Sequence, residues 1–321
     1  MKITRIRIFK TDLPYVGGAY VWGGGNAITT AKASVVVLDT DAGLQGCGEF
    51  TPCGENYMVA HSEGVEAFAR LAAHRLIGED PRQVARIEQL MDHTVQGQGY
   101  AKAPFDAACW DILGQACDQP VWMLLGGKLT DGAPMYRVAP QKSTDETLAE
   151  MRRYREDGYR QFQIKVGGDW AADIDRIKAG VALLEGGEKA MADANQGWRV
   201  DNAIRVARAT ADLDYILEQP CRTYEECQQV RRIAQQPMKL DECVTGMTAA
   251  QRIVADRGAE ICCLKISNLG GLSKARRVRD FWSITAYRWS PKIRGAVKSL
   301  ALHWRTSQHQ RLPISYKTRR I

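Results

Sequence analysis

The sequence predicts an α/β protein: an α+β part over residues 1–127, then a parallel (β/α) barrel over 128–280 that stops after its sixth β/α unit. Three observations carry this expectation. From about residue 133 strand-like apolar runs alternate with helix-like segments, the pattern of a parallel sheet covered by helices. Three successive runs end in a carboxylate, Asp193 in KAMADAN, Glu218 in DYILEQP and Asp241 in PMKLDEC, at spacings of 25 and 23 residues, one β/α repeat each. The same beat places Lys165 (RQFQIKVGG) one unit earlier and Lys265 (CCLKISNLGG) one unit later.

The elements follow in order. Ile3 to Phe9 alternates in polarity, Ala33 to Leu38 is rich in β-branched residues, and Ala42-Gly43-Leu44 turns the chain into Gly46–Phe50, so residues 1–60 read as β structure. The glycine-rich piece Gly17–Asn26, carrying Tyr20 and Trp22, reads as a loosely packed loop or a mobile flap. From Ser62 to about Gly126 the period is helical: Val65, Phe68, Leu71 and Ala72 form one stripe, and Ala108, Ile112 and Leu113 belong to another. The stop at Leu124-Leu125-Gly126-Gly127 marks a helix end and a linker. Strands are expected at 134–138, 161–166, 189–193, 215–219, 238–241 and 261–267, with helices at 145–157, 171–184, 201–212, 223–235 and 248–258 between them. An eight-unit barrel needs two further units.

Composition is that of an ordinary globular chain. No stretch has the length and apolarity of a membrane span, and the N-terminus lacks a signal peptide's apolar core. Nine cysteines without a CxxC pair suggest reduced thiols in a cytoplasmic enzyme, with the adjacent Cys262 and Cys263 as core residues. The net charge of +7 is local: residues 281–321 hold nine Lys/Arg and no Asp or Glu, which leaves residues 1–280 at −2. Nucleic-acid binding by the folded body is therefore not expected. There is no Walker A loop, no GxSxG and no HExxH, and none of the histidines (61, 74, 93, 303 and 309) lies in the barrel segment.

Parallel strands that close into a barrel bring their C-terminal ends to one mouth, so the five side chains should converge there. Three hard oxygen donors suit one Mg²⁺, and the flanking amines suit general acid–base work. A cation held by Asp193, Glu218 and Asp241 would leave positions for a substrate carboxylate. It would also favour the neutral amine that a lysine base needs. Lysines on the second and sixth strands stand across the barrel, one for each face of a flat intermediate, which permits epimerisation or elimination. A lone acid at a strand end is commonly a helix cap; three in phase with five strands and bracketed by lysines are not explained that way. Asn195 either tunes Asp193 from outside or is a simple turn residue.

At these residues the chain resembles the mandelate racemase/muconate lactonising family of the enolase superfamily, from residue 1 to about 280. GCGE (46–49) is similar to the family's GWGE, with Cys47 where Trp is usual, and residues 102–127 match the helix that ends the main part of the capping domain. QIK (163–165) is similar to KxK with Gln163 in place of the first lysine; DANQGW, EQPC and LDE resemble the metal-ligand strands, and LKISNLGGL the sixth-strand lysine. The resemblance implies a capping domain with lid loops, a barrel, Mg²⁺ at Asp193, Glu218 and Asp241, and Lys165 and Lys265 as acid/base pair. NYM (56–58), MYRVAPQ (135–141) and FQIKVGG resemble members acting on proline derivatives. That implies a small carboxylate substrate and dehydration of cis-3-hydroxy-L-proline, or 2-epimerisation of a proline betaine, in amino acid catabolism. Tyr20, Trp22 and Tyr57 would help close the pocket around a cationic ring nitrogen, or serve as ordinary packing. A homo-oligomer is expected if the barrel were complete.

The resemblance breaks at Asp280–Phe281. Codons permitted for the basic tail 281–321, read one frame over, can spell a string holding EDSWGG and then AHFAASTP, which resemble the family's next units. A frame shift near Phe281, by mutation or sequencing error, accounts for this; the alternative is a natural basic tail for a membrane or nucleic acid. An open barrel exposes parallel edges, so poor solubility and an inactive remnant are expected for the chain as written.

Overall fold

The computed structural model describes residues 1–15, 18–129, 131, 132 and 134–285, and the backbone of 288–291. The N-terminal strands are β1 (Ile3–Pro14), β2 (Tyr20–Trp22), β3 (Asn26–Ile28), β4 (Thr30–Thr40) and β5 (Gln45–Phe50). An antiparallel sheet has the order β1-β4-β5, and β2 pairs with β3 as a separate hairpin. Helices α1 (Glu63–Leu76), α2 (Val84–Thr94), α3 (Gly99–Ala116) and α4 (Val121–Leu124) follow. Val65, Phe68, Ala69, Ala72 and Leu76 are the buried face of α1. Leu71, expected in that stripe, is 55 % exposed, and Ala69 and Leu76 complete the face instead.

The glycines of GCGE have a packing reason. A Cβ on Gly46 would lie 2.1 Å from the Ala108 carbonyl oxygen, and one on Gly48 would lie 1.8 Å from that of Pro104. Strand β5 therefore rests backbone to backbone on the alanine-rich α3, which only residues without a side chain allow.

The second sheet is parallel, in the order β12-β11-β10-β9-β8-β7-β6: β6 (Tyr136–Ala139), β7 (Gln161–Lys165), β8 (Lys189–Asp193), β9 (Ile216–Glu218), β10 (Met238–Leu240), β11 (Ile261–Leu264) and β12 (Arg288–Pro291). Helices α5 (Thr144–Glu156), α6 (Trp170–Ala182), α7 (Val200–Ala209), α8 (Tyr224–Arg231) and α9 (Met247–Ala255) alternate with these strands. After β11 come α10 (Ile266–Leu269) and α11 (Leu272–Ile284). Local signals set the helix starts. Ser143 and Glu146 form a reciprocal capping box on α5, Thr223 and Glu226 do the same on α8, and the Asp169 carboxylate accepts from the amides of Ala171 and Ala172 on α6. Between sheet and helices Ile164, Ala192, Leu217, Leu240 and Cys262 meet Ile177, Val206, Val230 and Ile253 in one apolar core. Each such branched side chain contributes about 1.5–3 kcal/mol by leaving water.

The six expected strands are present, within one or two residues at most ends; the run through Ser267 instead ends at Leu264 and turns into α10. Helix α11 continues past the Asp280–Phe281 break to Ile284, with Trp282 fully buried. The backbone of Arg288–Pro291 adds a further parallel strand beside β11. The rest of the 281–321 tail, and with it the frame-shift reading, lies outside the described residues. Among the described residues the sheet is a curled, open arc with β6 and β12 at its edges. No helix of the described residues is long and apolar enough to cross a membrane.

Candidate active site

Register assembles the site. Lys165 pairs with Asp193 across β7 and β8, Asp193 with Glu218 across β8 and β9, and Glu218 with Lys239 across β9 and β10. One row therefore reads Lys-Asp-Glu-Lys at adjacent strand ends, all on the inner face. Leu240 pairs with Cys262, so Asp241 and Cys263 stand side by side one step further, and Lys265 follows the end of β11. Lys165, Asp193, Glu218, Asp241 and Lys265 are all at most 2 % exposed.

Charged groups at such depth must find partners. Lys165 Nζ donates to Asp193 Oδ2 and to Asn195 Oδ1, each at 2.6 Å, and Asp193 Oδ1 accepts from the Asn195 amide at 3.0 Å. Lys265 Nζ lies 2.5 Å from Asp241 Oδ1 and donates to the Tyr57 hydroxyl at 2.7 Å. The Tyr57 hydroxyl donates to Glu242 Oε1, which also accepts from Asn195 Nδ2 at 3.0 Å. A chain of polar contacts thus joins the two lysines through Asn195, Glu242 and Tyr57. Asn195 does both of the jobs open to it: its φ of +44° makes the turn, and its amide bridges Lys165 to Glu242.

Glu218 accepts from Gln163 Nε2 at 2.6 Å and from the Cys263 thiol at 3.3 Å, and Lys239 Nζ lies 3.4 Å away. Gln219, at φ +39°, accepts the Asp241 amide at 2.9 Å through Oε1 and donates to the Cys221 carbonyl at 3.0 Å. It thereby ties the end of β9 to the turn beyond β10 and fixes Glu218 against Asp241. Nearby, the Cys243 thiol is lowered by its hydrogen bond with Cys227, whose own thiol is raised by the same contact and by burial.

The three predicted metal ligands are not equally close. Among the described residues Glu218, Asp241 and Cys263 offer ligand atoms that all lie within 4.8 Å of one another. Asp193 is absent from that group: its Oδ2 is turned to Lys165, which draws it toward β7. Three residues were missed as site members: Glu242, Cys263 and Lys239. Glu242 adjoins Asp241 in sequence, and Lys239 follows the period-2 inward alternation of β10, so both were readable. Cys263 was read as core; alternation from Lys265 places it on the inner face, while Cys262 faces the helices.

The expected loose flap is the β2–β3 hairpin, and it packs tightly. A Cβ on Gly23 would fall 2.1 Å from the Ala194 carbonyl oxygen, just after Asp193, and the Gly24 amide donates to the Gly167 carbonyl at 2.9 Å. The absence of a side chain permits this docking rather than preventing it. Trp22 and Tyr57 are 2 % and 4 % exposed. Tyr20 stacks on Trp22 with ring centroids 5.9 Å apart, and Trp22 meets Tyr57 edge-on at 6.1 Å. Lys165 Nζ lies 6.0 Å from the Tyr20 centroid and Lys265 Nζ 4.9 Å from that of Tyr57. The aromatic row roofs the lysine–carboxylate cluster. A cleft of about 260 Å³ opens on the outer side of Tyr57 and Glu242, lined also by Met58, Tyr100, Gln196 and Asn268.

An α+β cap over an arc of parallel strands, with carboxylates between two strand-end lysines, is the arrangement of an enolase-superfamily enzyme. The chain belongs to the mandelate racemase/muconate lactonizing enzyme family: residues 25–126 match its N-terminal domain and residues 146–310 match the Enolase C-terminal domain-like family, past the break at 280. It is 41 % identical over 280 residues to a cis-3-hydroxy-L-proline dehydratase of Roseibium aggregatum, covering 87 % of this chain and 76 % of that protein. A crystal structure of a mandelate racemase/muconate lactonizing enzyme from Roseovarius nubinhibens ISM superimposes with a TM-score of 0.87 at 80 % identity, over 90 % of this chain and 77 % of that one. A second structure from that organism, complexed with magnesium, gives a TM-score of 0.86 at 34 % identity, over 90 % and 79 %.

Proposed function

We propose that the site of this chain is built to remove the α-proton of a proline-type carboxylate, with Lys165 and Lys265 as the acid/base pair and Asp193, Glu218 and Asp241 as ligands of one Mg²⁺, that the reaction is dehydration of cis-3-hydroxy-L-proline, and that an inactive remnant of such an enzyme is the alternative, which a loss of Mg²⁺ binding in calorimetry would favour. The donor set fits a hard divalent cation: three buried carboxylates at adjacent strand ends, two of them, Glu218 and Asp241, already within 4.8 Å. Bound there, the cation would supply positive charge to the substrate carboxylate as negative charge builds on it. Lys165 and Lys265 are paired with Asp193 and Asp241, so with those carboxylates engaged by a cation the two amines would be released for proton transfer.

The remaining chemistry belongs to the chain. One lysine accepts the proton from Cα as a neutral amine. In dehydration the Cα–H and C3–O bonds break, a C=C bond forms, and the hydroxyl leaves as water with a proton from an ammonium group. Tyr57, on Lys265, holds that lysine's orientation until substrate enters. The aromatic row suits a positively charged ring nitrogen and excludes water.

The observation that carries the reading is that Lys165 and Lys265, four strands apart, enter one buried hydrogen-bonded cluster from opposite sides. The same disposition favours a second reading, 2-epimerisation of a proline betaine, in which the second lysine returns a proton to Cα. Incubation with cis-3-hydroxy-L-proline and with proline betaines in deuterated water separates the two: loss of water, or deuterium at Cα with inversion. Lys165→Met and Lys265→Met should each abolish one proton transfer. Undiminished exchange in both variants refutes the assignment.

We also propose a frame-shift origin for the segment after Phe281, although the match of residues 146–310 to the C-terminal family runs past 280 and counts against it. The gene's nucleotide sequence tests it, since codons incompatible with the shifted string end it. A frame-restored chain should surpass the present one in soluble yield and Mg²⁺-dependent dehydration; equal behaviour refutes it.

A further inference from the structure

Cys262 and Cys263 are both fully buried, yet they face different surroundings. Cys262 lies in the apolar core, where burial pushes its thiol up to about 12. Cys263 lies on the inner face, its Sγ 3.3 Å from Glu218 Oε1 and within 4.8 Å of the ligand atoms of both Glu218 and Asp241. Tetrahedral sites with metal–sulfur bonds of about 2.3 Å and metal–oxygen bonds of about 2.0–2.2 Å place their donors roughly 3.5 Å apart, so a small sphere can touch all three with little movement. Mg²⁺ gains nothing from sulfur, whereas borderline and soft divalent cations prefer it.

We infer that Cys263 is a third arm of the metal site, so that Glu218, Asp241 and Cys263 together hold a thiophilic divalent cation such as Zn²⁺, Co²⁺ or Cd²⁺. The inference rests on the proposed metal position between Glu218 and Asp241 and adds to it a ligand and a selectivity. Ligation replaces the S–H bond by a metal–sulfur bond and releases the proton to solvent; no redox change occurs. The chain then discriminates between cations by softness, and Zn²⁺ competes with Mg²⁺ for one position. Lys239, 3.4 Å from Glu218 Oε1, and Gln163, on the other Glu218 oxygen, hold that carboxylate toward the thiol.

The test is optical and needs no turnover. Co²⁺ is titrated into the full chain, and the near-ultraviolet thiolate-to-cobalt charge-transfer band is recorded beside calorimetric Mg²⁺ and Cd²⁺ titrations. The wild-type chain should develop the band. Cys263→Ser should still bind Co²⁺ without it and lose Cd²⁺ affinity while keeping that for Mg²⁺. Cys262→Ala should keep the band. Wild-type binding of Co²⁺ and Mg²⁺ with no band overturns the thiolate arm and leaves the Mg²⁺ site standing. No binding of either ion overturns both, and a band that survives in Cys263→Ser overturns the assignment to that residue.

Discussion

Asp106 offers a test of the packing between the cap and the barrel. It lies on α3, 1 % exposed, where its carboxylate accepts from the amide of Ser273 at 3.0 Å and from the Ser273 hydroxyl. Ser273 opens α11, just beyond Lys265, and a Cβ on the neighbouring Gly271 would fall 2.4 Å from Asp106 Oδ2. Burial pushes the Asp106 carboxyl up to about 6; the charge of Glu88 adds to the rise, and the Ser273 hydrogen bonds oppose it. In the unfolded chain the same carboxyl titrates near ~3.9. The folded protein therefore holds this proton more tightly. Its contribution to stability is complete below about pH 4 and is lost as pH rises through about 6. A shift of about 2 units corresponds to about 3 kcal/mol. In urea unfolding followed by tryptophan fluorescence, wild type should lose about 3 kcal/mol relative to Asp106→Asn between about pH 4 and pH 7. Subtracting the variant removes every other titrating group. A difference that stays flat across this window would refute the dominance of burial over the opposing Ser273 hydrogen bonds at Asp106.

Two further outcomes follow from the site. Gly23→Ala places a methyl 2.1 Å from the Ala194 carbonyl oxygen, so the β2–β3 hairpin must retreat by about 1 Å to restore an ordinary C···O distance of about 3.3 Å. A displacement of that size should cost on the order of 10²-fold in kcat/KM for Cα deuterium exchange, and unchanged kinetics would show that the hairpin does not roof the site. Mg²⁺ at ten times its Kd should raise unfolding free energy by about 1.4 kcal/mol, reversed by a chelator and absent in Glu218→Gln. A thermal midpoint that ignores Mg²⁺ would remove the metal from the reading.

The barrel strands from β7 to β11 were legible because each is a short apolar run ending at or just before a charged residue, so one signal marked both the element and a candidate site residue; β6, which ends at Ala139, was read from its place in the β/α alternation alone. Lys165, Asp193 and Glu218 could be placed together from spacing alone, and the register puts them in one row. Less was readable where neighbours decide. The pull of Lys165 on Asp193 is a tertiary contact, so three equivalent ligands were expected and two stand close. Cys262 and Cys263 have the same composition and the same burial; only the parity of β11, anchored on Lys265, separates them. The glycine run before Asn26 carries no apolar period, and its docking depends on carbonyl oxygens of residues far along the chain. Helix α11 crosses the break at Phe281 because Trp282 happens to fit the core, whatever the origin of the codons behind it.

The hydrogen bond from Lys265 to Tyr57 has a consequence for idle enzyme. A neutral lysine amine open to solvent would condense with aldehydes or take up carbon dioxide. Here the Lys265 amine is engaged by the Tyr57 hydroxyl at 2.7 Å and by Asp241 Oδ1 at 2.5 Å, beneath the aromatic row. If Lys265 is the proposed proton-transfer residue, its burial and these two contacts would shield it from such damage between turnovers, and a Tyr57→Phe variant should make it more reactive toward aldehydes.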